Sequence, residues 1–455
     1  MDYHSYINSK LNTNLKCGFS PHFIPDYLFD FQKYLVEWSI VNGRSLLIED
    51  CGLGKTVQEL IWGTNVYKET GKPVLHLTPL AVSKQTVDEA NKFGIDAGRS
   101  KDGQINFPIV ITNYEKLHLY NYNDFGGVVC DESSILKNFD GKYKSLITEF
   151  MRKVQYRLLG TATAAPNDFI ELGTSAEALG HLGYIDMLGR FFKNDNDNVS
   201  VKRMYGEAPK WRFKKHAELP FWRWVTSWAR AIRKPSDLGF DNGGFNLTEL
   251  HEHLHIVDSE TLPDGYFLPI HASNLPEQRE EKKRTVKDRC EKVAELVNSR
   301  GDQSTCWCQL NDEGDLLEKL IPNSVQVHGG LTDEIREEIY EEFSSGNIQR
   351  IITKPKIGAF GLNWQNCCHS TYFPSHSYEQ KYQLVRRHWR FGQKNDVVID
   401  IVATEGERKI LNNINRKHDQ AVKMFENLVS EMNNSLKIKR TIEHTSKMEL
   451  PIWLS

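Results

Sequence analysis

Short apolar runs that alternate with helical stretches constrain this chain most. They fall at residues 45–50 (SLLIED), 74–79 (VLHLTP), 108–113 (PIVITN), 127–132 (GVVCDE) and 157–162 (RLLGTA). A strand buried on both faces of a parallel sheet reads as such a continuous run, and stretches such as 56–67 and 80–93 supply the crossover helices. The rhythm returns at 305–310, 324–329, 350–354, 370–373 and 397–403, between helical stretches such as 286–297 and 333–343. The chain therefore reads as α/β, with two parallel-sheet domains in tandem. Between about 176 and 284 the strand rhythm lapses, and four of the ten tryptophans gather there. The expected organisation is a first domain over 1–175, a Trp-rich, partly helical insertion closing the first lobe over 176–260, and a linker over 261–285. A second domain over 286–425 and a basic, loosely held tail over 426–455 follow.

Composition narrows the class. With 57 basic and 60 acidic residues the net charge is −3 over 455 residues. That excludes a histone-like protein but not a local basic face for nucleic acid. No apolar run approaches the roughly 18 residues of a membrane span, and the first residues lack the apolar core of a secretory signal. A cytoplasmic protein without membrane association is expected. Eight cysteines with no Cys-x-x-Cys pair read as reduced thiols.

The first chemical motif is Glu49-Asp50-Cys51-Gly52-Leu53-Gly54-Lys55-Thr56, which follows an apolar strand and opens a helix. Glycines let backbone N–H groups approach phosphates, Lys55 neutralises β and γ oxygens, and the Thr56 hydroxyl suits Mg²⁺. Glu49 stands where the strict pattern has glycine. Such a loop needs acids at the end of a later strand, and Asp131-Glu132 supply them, 76 residues beyond Lys55. Asp131 is suited to the metal, and Glu132 to orienting and deprotonating a water. Alone, a strand-end Asp-Glu is often a solvated turn; with Lys55 it becomes half of an ATP site.

These residues carry a resemblance. Asp131 to Asn138 resembles the Asp-Glu-x-x-x-Leu-Lys-Asn motif two of Swi/Snf-related ATPases, within superfamily two helicases. Residues 49–58 resemble motif one, 111–115 motif Ib, and 160–163 with Pro166-Asn167 motif three. Gln32 stands where the family has its adenine-reading glutamine. Gly358 to Asn363, including Gly361, is similar to motif five, and Gln383 to Gln393 to the Gln-x-x-x-Arg-x-x-Arg-x-Gly-Gln of motif six. Arg387 and Arg390, three apart, share a helix face. The resemblance covers roughly 22–175 and 286–405. It implies two RecA-like domains binding ATP and Mg²⁺ between them, with Gln32, Gly52, Leu53, Gly54, Lys55, Thr56 and Gly361 at the nucleotide and Arg387 and Arg390 as arginine fingers. Ser133-Ser134 and Thr161-Ala162-Thr163 depart from the family pattern without removing a phosphate or metal ligand.

The resemblance further implies an ATP-dependent motor on nucleic acid, preferring duplex DNA, with RNA still open. Its expected contacts with the strand backbone are Thr78, Thr112, Asn113, His328, Thr353 and Lys354. A strand-separating DNA or RNA helicase would use the same engine. A scaffold with lapsed ATPase is opposed by the intact Lys55, Thr56, Asp131, Glu132, Arg387 and Arg390. Residues 201–240 hold ten basic residues against three acidic ones, a local balance of +7. There Lys214, Lys215, Arg230 and Arg233 are the contact candidates, while Phe221, Trp224, Trp228 and Ile232 fall at helical spacing and read as core. This segment also resembles the insertion of phage-encoded members of the family. His251, His253 and His255 alternate along a strand and read as a solvated face rather than a metal site.

Overall fold

The computed structural model describes residues 17–137, 141–165, 168–194, 211–258, 275–358 and 362–443. Gly361, Pro166-Asn167, Asn138, part of the basic stretch of 201–240, most of the expected linker and the last residues of the tail lie outside them.

The first lobe opens with helix α1 (Asp30–Asn42) and strand β1 (Arg44–Glu49). Helix α2 (Lys55–Thr70), β2 (Val74–Thr78), α3 (Ser83–Lys92), β3 (Ala97–Arg99), β4 (Ile109–Asn113) and β5 (Gly127–Cys130) follow. Helix α4 (Lys142–Lys153), β6 (Tyr156–Thr161), α5 (Leu172–Leu179), α6 (Tyr184–Phe191), the antiparallel pair β7 (Phe192–Asn194) and β8 (Trp211–Phe213), α7 (Glu218–Trp228) and β9 (Ala229–Ile232) complete it. Seven strands form a parallel sheet in the order β3-β4-β2-β5-β6-β1-β9. Every residue of β2, β4, β5 and β6 is buried, which is why they read as unbroken apolar runs.

The second lobe contributes β10 (Leu250–Val257), α8 (Leu275–Arg284), α9 (Val286–Asn298), β11 (Ser304–Trp307), α10 (Asn311–Leu320), β12 (Ser324–Val327) and α11 (Asp333–Ser344). Then come β13 (Arg350–Thr353), α12 (Pro355–Gly358), β14 (His369–Tyr372), α13 (Tyr378–His388), β15 (Val397–Thr404) and α14 (Arg408–Glu443). Its six-stranded parallel sheet runs β10-β15-β14-β11-β13-β12. The protein is thus two tandem RecA-like α/β lobes.

Three features depart from the sequence reading. The apolar stripe Phe221–Trp224–Trp228–Ile232 is not one helix: α7 stops at Trp228, Ala229 turns extended, and Ile232 lies in β9 beside β1. The insertion therefore supplies the last strand of the first sheet, and its tryptophans pack into that lobe's core. Second, β10, expected within the insertion, pairs in parallel with β15 and so belongs to the second lobe. Its His255 faces a carboxylate after all: His255 Nε2 lies 2.8 Å from Asp400 Oδ1, and His369 Nε2 lies 2.9 Å from Oδ2. Third, the tail is helical as far as Glu443. Helix α14 leaves the second lobe, where Ile410 and Ile414 pack with Tyr378, and crosses to the first, where Met424, Phe425, Leu428 and Met432 join the core. Those four residues follow a helical period, so burying the stripe ties the lobes together.

Candidate nucleotide-binding cleft between the lobes

In open parallel sheets ligands sit beyond the carboxyl ends of the strands, and the motif residues gather there. β1 ends at Glu49, and the loop that follows turns through Gly52 (φ 90°) and Gly54 (φ 78°) before α2 begins at Lys55. Gly54 is required twice over. Its backbone is left-handed, and a Cβ there would meet Gln32 Nε2 at 2.4 Å. Buried Gln32 donates from Nε2 to the Leu53 carbonyl (2.7 Å) and accepts from the Phe29 N–H (3.0 Å), so it braces the loop from α1. The Leu53 side chain is wholly buried in the core, so its part at the site is its backbone. Burial pushes the Glu49 carboxyl up to about 8 despite the Gln58 amide donating to it at 2.7 Å.

The acidic pair follows β5, and one strand, β6, separates β5 from β1. Lys55 crosses that gap, placing Nζ 3.4 Å from Asp131 Oδ1 and 3.8 Å from Glu132 Oε1. Gly160 on β6 makes the crossing possible, since a Cβ there would lie 1.9 Å from Glu59 Oε1 and 3.1 Å from Lys55 Cδ. Burial works against the Lys55 charge, but Glu132, Asp131 and Glu59 hold its pKa well above the ordinary value. Burial raises the Glu132 pKa, which Asp131 raises further and Lys55 lowers. Glu132 also adopts φ 49°, a left-handed backbone that a non-glycine residue occupies at a cost of about 1–3 kcal/mol. The Thr56 hydroxyl and Asp131 carboxylate line the same cleft; both are hard oxygen donors, as Mg²⁺ requires.

The second lobe closes this cleft, leaving a cavity of about 420 Å³ lined by Gly52, Gly54, Lys55, Thr56, Asp131, Glu132, Arg387 and Arg390 among others. Arg387, at the end of α13, donates from Nη1 to the Leu362 carbonyl (2.7 Å) and from Nη2 to Gln383 Oε1 (2.7 Å). Its guanidinium also lies 3.9 Å from Cys51 Sγ of the phosphate loop. Arg390 donates weakly to Leu362, its buried Nε has no hydrogen-bond partner, and burial pushes its pKa down to about 10. A half-buried guanidinium this poorly satisfied is one that an anion would stabilise.

A second inter-lobe link escaped the motif reading. Asp50 accepts from Tyr382 Oη at 2.6 Å and pairs with Arg386 Nη2 at 2.5 Å, and Arg386 stacks on the Trp389 ring 4.2 Å away. Asp50 and Arg386 are both buried. Arg386 stands between two motif-six positions without belonging to the pattern, so only its proximity to Arg387 could have drawn attention to it.

The expected nucleic-acid contacts fare unevenly. Arg230 is a correction: it is buried in β9, stacked 4.2 Å from the Trp38 ring, and donates to the Ala229 carbonyl (3.1 Å), so it cannot face a strand. Thr78, Thr112 and Thr353 are buried, and their hydroxyls donate to the carbonyls of Pro79, Ser100 and Val327. These three side chains shape loops rather than offer contacts. The Asn113 side chain accepts from the Lys116 N–H (3.2 Å) as a cap, and Lys354 donates to Asn311 Oδ1 (2.6 Å). Arg233 lies over the Phe425 ring at 4.2 Å, and Lys214 donates to the Gly189 carbonyl at 2.5 Å. Lys215 and His328 are exposed.

The paired lobes set the glycine loop and acidic pair of one against the arginines of the other across a single cleft. The family model for the helicase conserved C-terminal domain matches residues 268–392. An uncharacterized ATP-dependent helicase of Bacillus subtilis, YqhH, is 30% identical over 155 residues, which is 31% of this chain and 28% of the relative. The chain thus matches little more than a quarter of that relative's length. Among solved structures, Saccharomyces cerevisiae Dbp5 bound to RNA and ADP BeF3 aligns with a TM-score of 0.55 at 14% identity, over 88% of this chain and 93% of that one. The Sulfolobus solfataricus SWI2/SNF2 ATPase core in complex with dsDNA aligns over 95% of this chain and 99% of that one, at 17% identity and a TM-score of 0.41.

Proposed function

We propose that this protein hydrolyses ATP between its two lobes and uses the cycle to move along or remodel duplex DNA. The observation that carries the reading is the convergence of Arg387 and Arg390 from the second lobe on the cleft that holds Lys55, Asp131 and Glu132. The loop N–H groups and Lys55 bind the β and γ phosphates at the start of α2. Glu132, whose raised pKa suits a base, orients the attacking water and takes its proton. Charge developing on the γ-phosphoryl oxygens is stabilised by Arg390 and Arg387, a contribution worth roughly a thousandfold or more in rate. Mg²⁺, when bound, neutralises phosphate charge, and the Thr56 hydroxyl and Asp131 carboxylate are the residues to hold it. Because the arginines and the phosphate loop lie on different lobes, turnover requires closure, and reopening after hydrolysis supplies the movement.

The preference for duplex DNA rests on the Leu136-Lys137 extension of the acidic motif and the Gly392-Gln393 end of the arginine motif, both of Swi/Snf type. Since the aligned Dbp5 structure contains RNA, RNA is the necessary comparison. The test is ATP turnover with no nucleic acid, single-stranded DNA, duplex DNA and RNA in parallel, alongside release of an annealed strand. Duplex DNA should stimulate turnover most, with little strand release. Stimulation by RNA alone, or efficient unwinding, would replace the duplex motor with a strand-separating helicase.

A further inference from the structure

Away from the nucleotide, a row of ion pairs joins the lobes. Glu334, Glu337 and Glu341 occur at spacings of three and four on α11, so they share one helix face. Each meets a cation of the first lobe. Glu334 Oε1 lies 3.7 Å from Lys101 Nζ, Glu337 Oε1 lies 3.1 Å from Arg99 Nη1, and Glu341 pairs with Lys84 at the start of α3. The outer two pairs are well exposed, with Lys84 and Lys101 side chains 44% and 59% accessible. Glu337 of the middle pair lines an inter-lobe groove of about 450 Å³, together with Pro79, Tyr114, Lys137 and Arg336. Glu132 lines both this groove and the nucleotide cleft, so the groove that Glu337 lines adjoins the cleft.

Exposed pairs of this kind hold weakly and are screened by salt. They are poor fasteners but can be exchanged. At 1.5 Å per residue the three carboxylates are spaced about 4.5 and 6 Å along the helix axis. Such a row of negative charge resembles the run of phosphates along one strand, with a spacing wider than the about 3.4 Å of axis per charge in B-form DNA. We infer that Lys84, Arg99 and Lys101 form a phosphate-binding track for one strand of bound nucleic acid, and that the α11 carboxylates occupy this track in its place when none is bound. The inference rests on the nucleic-acid reading above and deepens it by naming three contacts that motif resemblance did not supply. Strand phosphates displace Glu334, Glu337 and Glu341, so the acidic face of α11 sets how readily nucleic acid engages.

The test is the affinity of the full chain for a short fluorescent duplex at low salt, without ATP, which needs no turnover. The triple variant Glu334→Gln, Glu337→Gln, Glu341→Gln removes the competing charge and keeps the side-chain shape. It should bind about tenfold more tightly, the sum expected of three exposed pairs. Lys84→Gln, Arg99→Gln, Lys101→Gln should bind at least tenfold more weakly, and adding the three Glu→Gln changes to it should restore nothing. A glutamine triple variant that binds duplex no better than the wild type overturns the inference. If instead wild-type turnover responds to no nucleic acid, the motor reading fails on its own, while the affinity comparison still decides the track.

Discussion

Arg386→Ala separates closure of the lobes from the strength of nucleotide binding. The Arg386–Asp50 pair is buried on both sides and spans the lobe interface, with Tyr382 as a second donor to the same carboxylate. Removing one member of a buried pair typically costs about 3–5 kcal/mol, because the partner stays desolvated and unpaired. Here that cost need not fall on folding. When the lobes part, Asp50 recovers water, so the penalty attaches to the closed state alone. Tyr382 and the Cys51 N–H, which donates to Asp50 Oδ1 at 2.7 Å, remain and soften it. About 2–3 kcal/mol against closure is roughly a 30- to 160-fold shift in that equilibrium. Turnover should fall at least tenfold, ATP affinity should change severalfold at most, and the thermal midpoint should shift little. Steady-state kinetics, a fluorescent nucleotide titration and small-angle scattering with a nucleotide analogue measure these separately. Asp50→Asn with Arg386→Met should recover part of the loss, since neither charge is then stranded. Wild-type turnover in Arg386→Ala would refute the reasoning, as would a loss matched by an equal fall in melting temperature.

The remaining predictions address single groups. Glu132→Gln should bind ATP but lose at least a hundredfold in turnover, because an amide cannot take a proton from water; single-turnover assays check this. Arg390→Ala should cut turnover by roughly a thousandfold and abolish stimulation by nucleic acid, while nucleotide affinity falls much less. The Glu49 carboxyl titrates near 8 when folded and near 4.3 when unfolded, so its ionisation destabilises the fold fully above pH 8. That penalty fades as the pH falls through 8 and is gone below about 4. Glu49→Gln should therefore stabilise the protein by up to about 5 kcal/mol at pH 9 and by about 1 kcal/mol near pH 5, as read from urea midpoints at both values.

What could be read from the sequence follows from how far apart the cooperating residues stand. Strands β2, β4, β5 and β6 announce themselves because burial on both faces demands apolar residues at every position. β9 did not, because Ala-Arg-Ala-Ile continues the period of Phe221, Trp224 and Trp228 and carries a charge at its centre. Arg230 looks solvent-facing until Trp38 and the Ala229 carbonyl take up its guanidinium. β10 reads as an alternating, half-exposed strand, but alternation says nothing of which sheet receives it, and pairing with β15 is a contact 147 residues away. For α14 the apolar spacing was present, but nothing local shows that the stripe closes on the first lobe.

The same reasoning divides the site. Lys55, Thr56, Asp131 and Glu132 were legible because phosphate and metal chemistry restricts residue type within two short loops, and Arg387 and Arg390 because of the arginine pattern itself; the expected shared helix face does not form, since α13 ends at His388 and Arg390 lies just beyond it. The residues that join the halves obey no such restriction. Asp50 meets Arg386 across 336 positions and Lys84 meets Glu341 across 257. An aspartate in a phosphate loop and a glutamate on an acidic helix each look like solvated charge when taken alone. Their effect depends on a closed arrangement in which one cation is buried against the loop and three others are held by carboxylates at the groove. The Asp50 pair favours closure from within the nucleotide cleft, where salt screens it little. The α11 pairs act at the exposed edge, where salt screens them and phosphates can replace them. A motor driven by closure needs that asymmetry: a firm contact beside the nucleotide and an exchangeable one beside the track, so that binding on one side can be felt on the other without locking the lobes together.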